Sequence, residues 1–183
     1  MPSDPLGQAL LTIARNAVAG KLDLPKTPAP AAQPEFQQPA ATFVTLTIDG
    51  QLRGCIGRLQ ASRPLAEDVA ANAIAAAFDD PRFPPLRREE FAAVRFEVSL
   101  LSPAEDFPVR DEADACARLR PGIDGVILSH GCRHATFLPQ VWESLPKPER
   151  FLAELKRKAG LSADFWSPDL LLLRYEVKKW QEN

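Results

Sequence analysis

Residues 42–57 read TFVTLTIDGQLRGCIG, and the pair Asp49-Gly50 at their centre decides the fold. Two β-rich runs flank two residues that both tolerate positive φ, which is the signature of a tight antiparallel hairpin. The second arm is unusual for a strand. Within LRGCIG, residues 52–57, it holds two glycines, a lone cysteine and an arginine, so it offers little packing surface. Alternation assigns Arg53 and Cys55 to one face and Leu52, Gly54 and Ile56 to the other, provided no bulge falls between them.

Outward from the hairpin, Ser62 and Pro64 begin a helix through LAEDVAANAIAAAF, which the prolines of DDPRFPPL stop. VRFEVSLL alternates cleanly, with Val94, Phe96, Val98 and Leu100 inward and Arg95, Glu97 and Ser99 on the other face. Asp111 caps a short helix, two strands flank Gly131, Pro148 opens a helix that Gly160 ends, and LLLLRYEVKKW reads as the last strand. At the other end, Ser3 suits the cap of an amphipathic helix over residues 4–20, and a proline-rich connection spans 25–39. The chain therefore reads as one domain over residues 1–183, with its main body at 40–180. Hairpins interrupt the helix–strand alternation, which predicts an α+β fold: a mixed, largely antiparallel sheet flanked by helices.

Composition narrows the function classes. The 22 Lys and Arg face 24 Asp and Glu, a net charge of −2 that gives no general attraction to nucleic acid or to an anionic membrane. No run approaches the ~18 apolar residues of a membrane span. The N-terminus lacks a basic leader and reads as part of the mature protein. Three scattered cysteines do not make a disulfide framework, which suits free thiols in a reducing cytoplasm.

The groups able to do chemistry gather around LRGCIG. A guanidinium at Arg53 would favour a thiolate at Cys55 or grip a carboxylate or phosphate in bidentate fashion. Gly54 and Gly57 leave room for a ligand or for another backbone. The alternative is structural: Cys55 as a small core residue, Arg53 paired with a carboxylate, the glycines marking a bulge. Glu97 is a candidate partner of Arg53 if their strands are neighbours. Arg82, in a proline-stiffened loop with Asp79 and Asp80, and Gln140, just beyond a strand beside Trp142, are candidate substrate contacts. His130, Cys132 and His134 alternate around Gly131, but a turn there would scatter them, and no metal site is assigned.

LRGCIG, together with RPLAEDVAANAIAAAFDDPRFPPL, FEVSLLSP, RPGIDGVIL, ATFLPQVWESLP and FLAELKRKAGL, resembles the AMMECR-domain family, from about Leu6 to Val177. It is most similar to the bacterial branch called AmmeMemoRadiSam system protein A. The resemblance implies an α+β domain with a larger and a smaller lobe and the hexapeptide beside a cleft. It also implies a setting shared with a Memo-like protein and a radical SAM protein, without implying a reaction or a cofactor. Two readings follow. One is an enzyme or enzyme component in which Cys55 is a nucleophile or hydrogen donor, Arg53 its activator or anion grip, and Glu97 or Gln140 an orienting group. The other is a binding or scaffold module that presents the hairpin to a partner protein or a small metabolite.

Overall fold

The computed structural model describes residues 4–183. In chain order its elements are α1 (Pro5–Lys21), β1 (Pro39–Ile48), β2 (Gln51–Gly57), β3 (Arg63–Pro64), α2 (Leu65–Phe78) and β4 (Val94–Leu101). There follow β5 (Glu105–Asp106), α3 (Glu112–Arg118), β6 (Gly125–His130), β7 (Arg133–Phe137), α4 (Pro148–Lys158), β8 (Leu171–Tyr175) and β9 (Val177–Gln181). The α+β class is as the sequence predicts, but the strands divide between two sheets. A larger unit ends at Leu101 and is completed by Lys178–Asn183; a smaller one comprises Ser102–Val177. The run read as one last strand breaks at Glu176, so β8 joins the smaller sheet and β9 the larger.

The larger unit has the strand order β2-β1-β4-β9, with β3 added to β1. The expected cap at Ser3 lies outside the described residues; Asp4 is the N-cap of α1 and accepts the Leu6 N–H. One sheet face, carrying Val44, Leu46, Val94, Phe96 and Val98, packs on Leu10, Ala14 and Val18 of α1 and on Val69, Ala73 and Ala76 of α2. The alanine-rich sequence of α2 is what lets the helix lie so near the strands. Its start is not capped by Ser62. Instead the fully buried Asp68 accepts the N–H and hydroxyl of Thr42 and an amide proton of Asn72, tying the first turn of α2 to β1.

Asp49 and Gly50 both adopt positive φ, at 50° and 75°, as the hairpin requires. The ladder from this turn opens with Ile48 opposite Gln51 and Thr47 opposite Leu52, then shifts. Leu46 pairs with Gly54 and Thr45 with Cys55, leaving Arg53 as an extra residue in a β-bulge. The bulge breaks the simple alternation: Leu52 lies on the face of Thr47 and Cys55, not with Gly54 and Ile56.

In the smaller unit the order is β5-β8-β6-β7, with antiparallel pairing throughout. Its core stacks Trp142 on Phe151, centroids 3.8 Å apart, and Trp142 Nε1–H donates to the Asp124 carbonyl. Asp111 caps α3 as expected by accepting the Asp114 N–H, and Gly160 ends α4 at a φ of 78°. Lys156 is fully buried and donates to Glu112 at 2.8 Å.

A Cβ at Gly54 would lie 2.0 Å from the Ala76 carbonyl oxygen, a backbone atom that cannot swing aside. Gly54→Ala is therefore expected to destabilise the protein by about 3 kcal/mol or more, the upper range for overpacking. Urea denaturation at neutral pH measures it, with Gly50→Ala in the open turn as the comparison for pure backbone strain.

Candidate functional site

Cys55 lies on the sheet face opposite α1 and α2, and the residue is partly exposed. The register explains which groups accompany it. Thr45 is paired with Cys55 on one side and with Glu97 on the other, so the three side chains form a row across β2, β1 and β4. The Thr45 hydroxyl donates to Cys55 Sγ at 3.2 Å. Beyond β4, Lys179 of β9 extends the row, its Nζ 3.4 Å from Glu97 Oε1. A thiol, a hydroxyl, a carboxylate and an ammonium thus lie in line on one face.

β2 is a terminal strand, so the Cys55 N–H points away from the sheet. It donates to Asp80 Oδ2 at 2.9 Å. Asp80 is buried and also accepts the Arg82 backbone N–H, Nε–H and Nη2–H. Those guanidinium hydrogen bonds hold its carboxyl far below the usual carboxylate range, against the opposing effect of burial. Arg82 Nη2 also reaches the Cys55 carbonyl at 3.4 Å. The peptide of Cys55 is therefore flanked by a carboxylate and a guanidinium where a further strand would have supplied both partners.

Arg53 leaves the row at the bulge. Its Nε–H and Nη2–H donate to the two oxygens of Glu90 at 2.9 and 3.1 Å, a bidentate pair, and Nη2 also approaches the Pro85 carbonyl. Its side chain is only 12% exposed. Glu90 also accepts the Arg87 backbone N–H, and the Arg53 fork lowers its carboxyl to about 2.

Several expectations are corrected by this geometry. Glu97 is not the partner of Arg53, because β1 intervenes between their strands; Lys179 holds Glu97 and Glu90 holds Arg53. The space freed at Gly54 is filled by the α2 backbone. At Gly57 it is filled by the Phe43 ring and the Thr42 carbonyl, 2.3 and 2.4 Å from a notional Cβ, so neither glycine opens room for a ligand. Arg82 does adjoin Cys55. Gln140 belongs to the smaller unit, exposed on a 3-10 turn over Pro139–Glu143, where its neighbour Trp142 is core. Cys132 is exposed at the β6–β7 turn, His130 packs edge-on against Phe165, and among the described residues no three His, Cys, Asp or Glu gather to hold a metal.

The sequence reading passed over Thr45, Glu90 and Lys179. Thr45 depends on the bulge, which no pattern of residue types specifies. Glu90 lies 37 positions from Arg53, and Lys179 lies 82 positions from Glu97. Among the described residues no helix is long and apolar enough to cross a membrane.

The chain is thus a two-unit α+β protein whose terminal strand β2 carries LRGCIG. The chain belongs to the AMMECR1 family, whose model matches residues 11–180. It is 37% identical over 185 residues to a protein of Methanothermobacter thermautotrophicus, covering 97% of this chain and 94% of that one. It is 36% identical over 186 residues to a protein of Sulfolobus acidocaldarius, covering 96% and 78%. The crystal structure of an uncharacterized protein from Pyrococcus horikoshii matches with a TM-score of 0.81 at 33% identity, over 98% of this chain and 93% of that one.

Glu90 lies well below its ordinary value of 4.5, so its contribution to stability is complete above that value and is lost as pH falls through about 2. Asp80, also lowered, contributes in the same sense. Glu90→Gln should cost about 2 kcal/mol at pH 7, the scale of a charge-assisted pair, and should lose less stability than the unmodified chain between pH 4.5 and 2. Urea midpoints at pH 7, 4 and 3 read both effects.

Proposed function

We propose that the chain is an enzyme, or a component of one, in which the Cys55 thiol acts as a nucleophile on a small molecule. The observation that carries this is the row Cys55–Thr45–Glu97–Lys179. A partly exposed cysteine, its sulfur hydrogen-bonded by a hydroxyl, is followed by a carboxylate and an ammonium on the face opposite the helices. Such a row offers a nucleophile, a proton carrier and a charge partner within side-chain reach of one bound molecule. Thr45 orients the sulfur, and Glu97 is the carboxylate nearest in register to take or return a proton. Arg53 acts as a positioning residue, anchoring the bulge through Glu90. We further propose that the chain belongs to the family branch that works with a Memo-like protein and a radical SAM protein. That assignment rests on the sequence resemblance.

A second reading, a binding or scaffold module presenting the hairpin to a partner, is favoured by a different observation. Arg53, Gly54 and Gly57 are all accounted for by packing and pairing within the fold. In that case the thiol is dispensable. The two readings separate in cells lacking the gene. Wild type, but not a folded Cys55→Ser protein, should restore the metabolite profile, whereas full restoration by Cys55→Ser would transfer the role to the scaffold reading.

A further inference from the structure

We infer that the Cys55 site takes molecules carrying a carboxylate or phosphate group, and that Arg82, held in position by Asp80, receives that group. The inference rests on the thiol role proposed above and adds its substrate class.

Two other cations near the row are already engaged. The fork of Arg53 is closed on Glu90, and its remaining Nη1 is buried without a partner. Lys179 shares its ammonium with Glu97. Arg82 is paired as well, with Asp80, but it keeps an amino group over. Its side chain is 55% exposed, against 12% for Arg53 and 43% for Lys179. Nε and Nη2 are spent on Asp80, while among the described residues Nη1 meets no acceptor within hydrogen-bonding distance.

The guanidinium is also fixed in direction. Asp80 grips one edge of it, the Phe83 ring lies 5.5 Å from its centre, and the contact with the Cys55 carbonyl keeps it beside the cysteine. A pre-oriented arginine with one amino group left over can donate charge-assisted hydrogen bonds to a carboxylate or phosphate oxygen. It also loses little side-chain freedom when the anion arrives. Asp80 has two tasks: it holds the Cys55 peptide through the N–H, and it aims Arg82. The grip on anions that the sequence suggested for Arg53 thus passes to Arg82.

The test compares two alkylating reagents of nearly equal size at the same sulfur, iodoacetate and neutral iodoacetamide. In each, the sulfur forms a C–S bond, iodide departs and the thiol proton passes to solvent. Because both reagents meet one thiol, changes in its intrinsic reactivity cancel in the ratio of rates. With Cys55 followed by peptide mass spectrometry, Arg82→Gln should lower the iodoacetate-to-iodoacetamide ratio about fivefold, the factor one unit charge at ~4 Å contributes in bulk water. The difference should fade in 1 M salt. Lys178→Gln, an exposed position on the same strand as Lys179, removes the same charge and should leave the ratio unchanged.

An unchanged ratio in Arg82→Gln overturns the inference while leaving the thiol reading intact. Failure of Cys55 to react with either reagent sinks the thiol reading alone. The anion site is then decided without the sulfur, in Cys55→Ser titrated with inorganic phosphate. A saturable shift of the Arg82 Nε–H resonance supports it, and the absence of one rejects it.

Discussion

One extra residue in β2 governs the arrangement around the hexapeptide. Continued without a bulge from the Asp49-Gly50 turn, the ladder would set Arg53 opposite Leu46 and Cys55 opposite Val44, both of which face the helices. A guanidinium would then enter an apolar core, and the thiol would be sealed within it. The bulge at Arg53 shifts the register by one, and a one-residue shift in a strand exchanges its faces. Gly54 turns toward the Ala76 carbonyl, where only glycine fits, and Cys55 emerges beside Thr45. The fork on Glu90 anchors the displaced arginine outside the ladder. Bulge, glycine and ion pair are parts of one solution, and each would be costly without the others.

The outer edge of β2 poses a second problem, since an unpaired backbone N–H away from water costs about 1–3 kcal/mol. Asp80 and Arg82 answer it with side chains, which leaves the strand terminal in its sheet. A terminal strand with its polar groups engaged is also a poor template for another chain. The same two residues that protect the edge carry charge to the neighbourhood of the thiol, so a structural need and a chemical opportunity coincide.

The hairpin, the helix-facing pattern of VRFEVSLL, the Asp111 cap and the end of α4 at Gly160 were legible because each depends on residues close in sequence. The α+β class followed from them. Three features were not legible, for a shared reason. The bulge depends on how α2 fits the sheet, the Arg53–Glu90 pair on a loop folding back along an edge, and the split of LLLLRYEVKKW on two different sheets accepting its halves. Arg53 and Cys55 stand out in the sequence by residue type. Their expected same-face placement fails because alternation assumes an unbroken ladder, and the condition set for a Glu97–Arg53 pair, that their strands be neighbours, is not met because strand order is not written in strand sequence.

The larger unit is discontinuous, since β9 reaches its sheet only after Ser102–Val177 has intervened. Until β9 arrives, Trp180 is missing from beside Gly7, Arg15 lacks Glu182, and the Phe96 N–H lacks the same carboxylate. During translation at about 5–20 residues per second, the nascent sheet must wait roughly 4–15 s for its final strand. Over that interval the edge of β4 is bare. A truncated or stalled chain is therefore exposed to chaperones and proteases at β4, even though every residue of LRGCIG has long since left the ribosome.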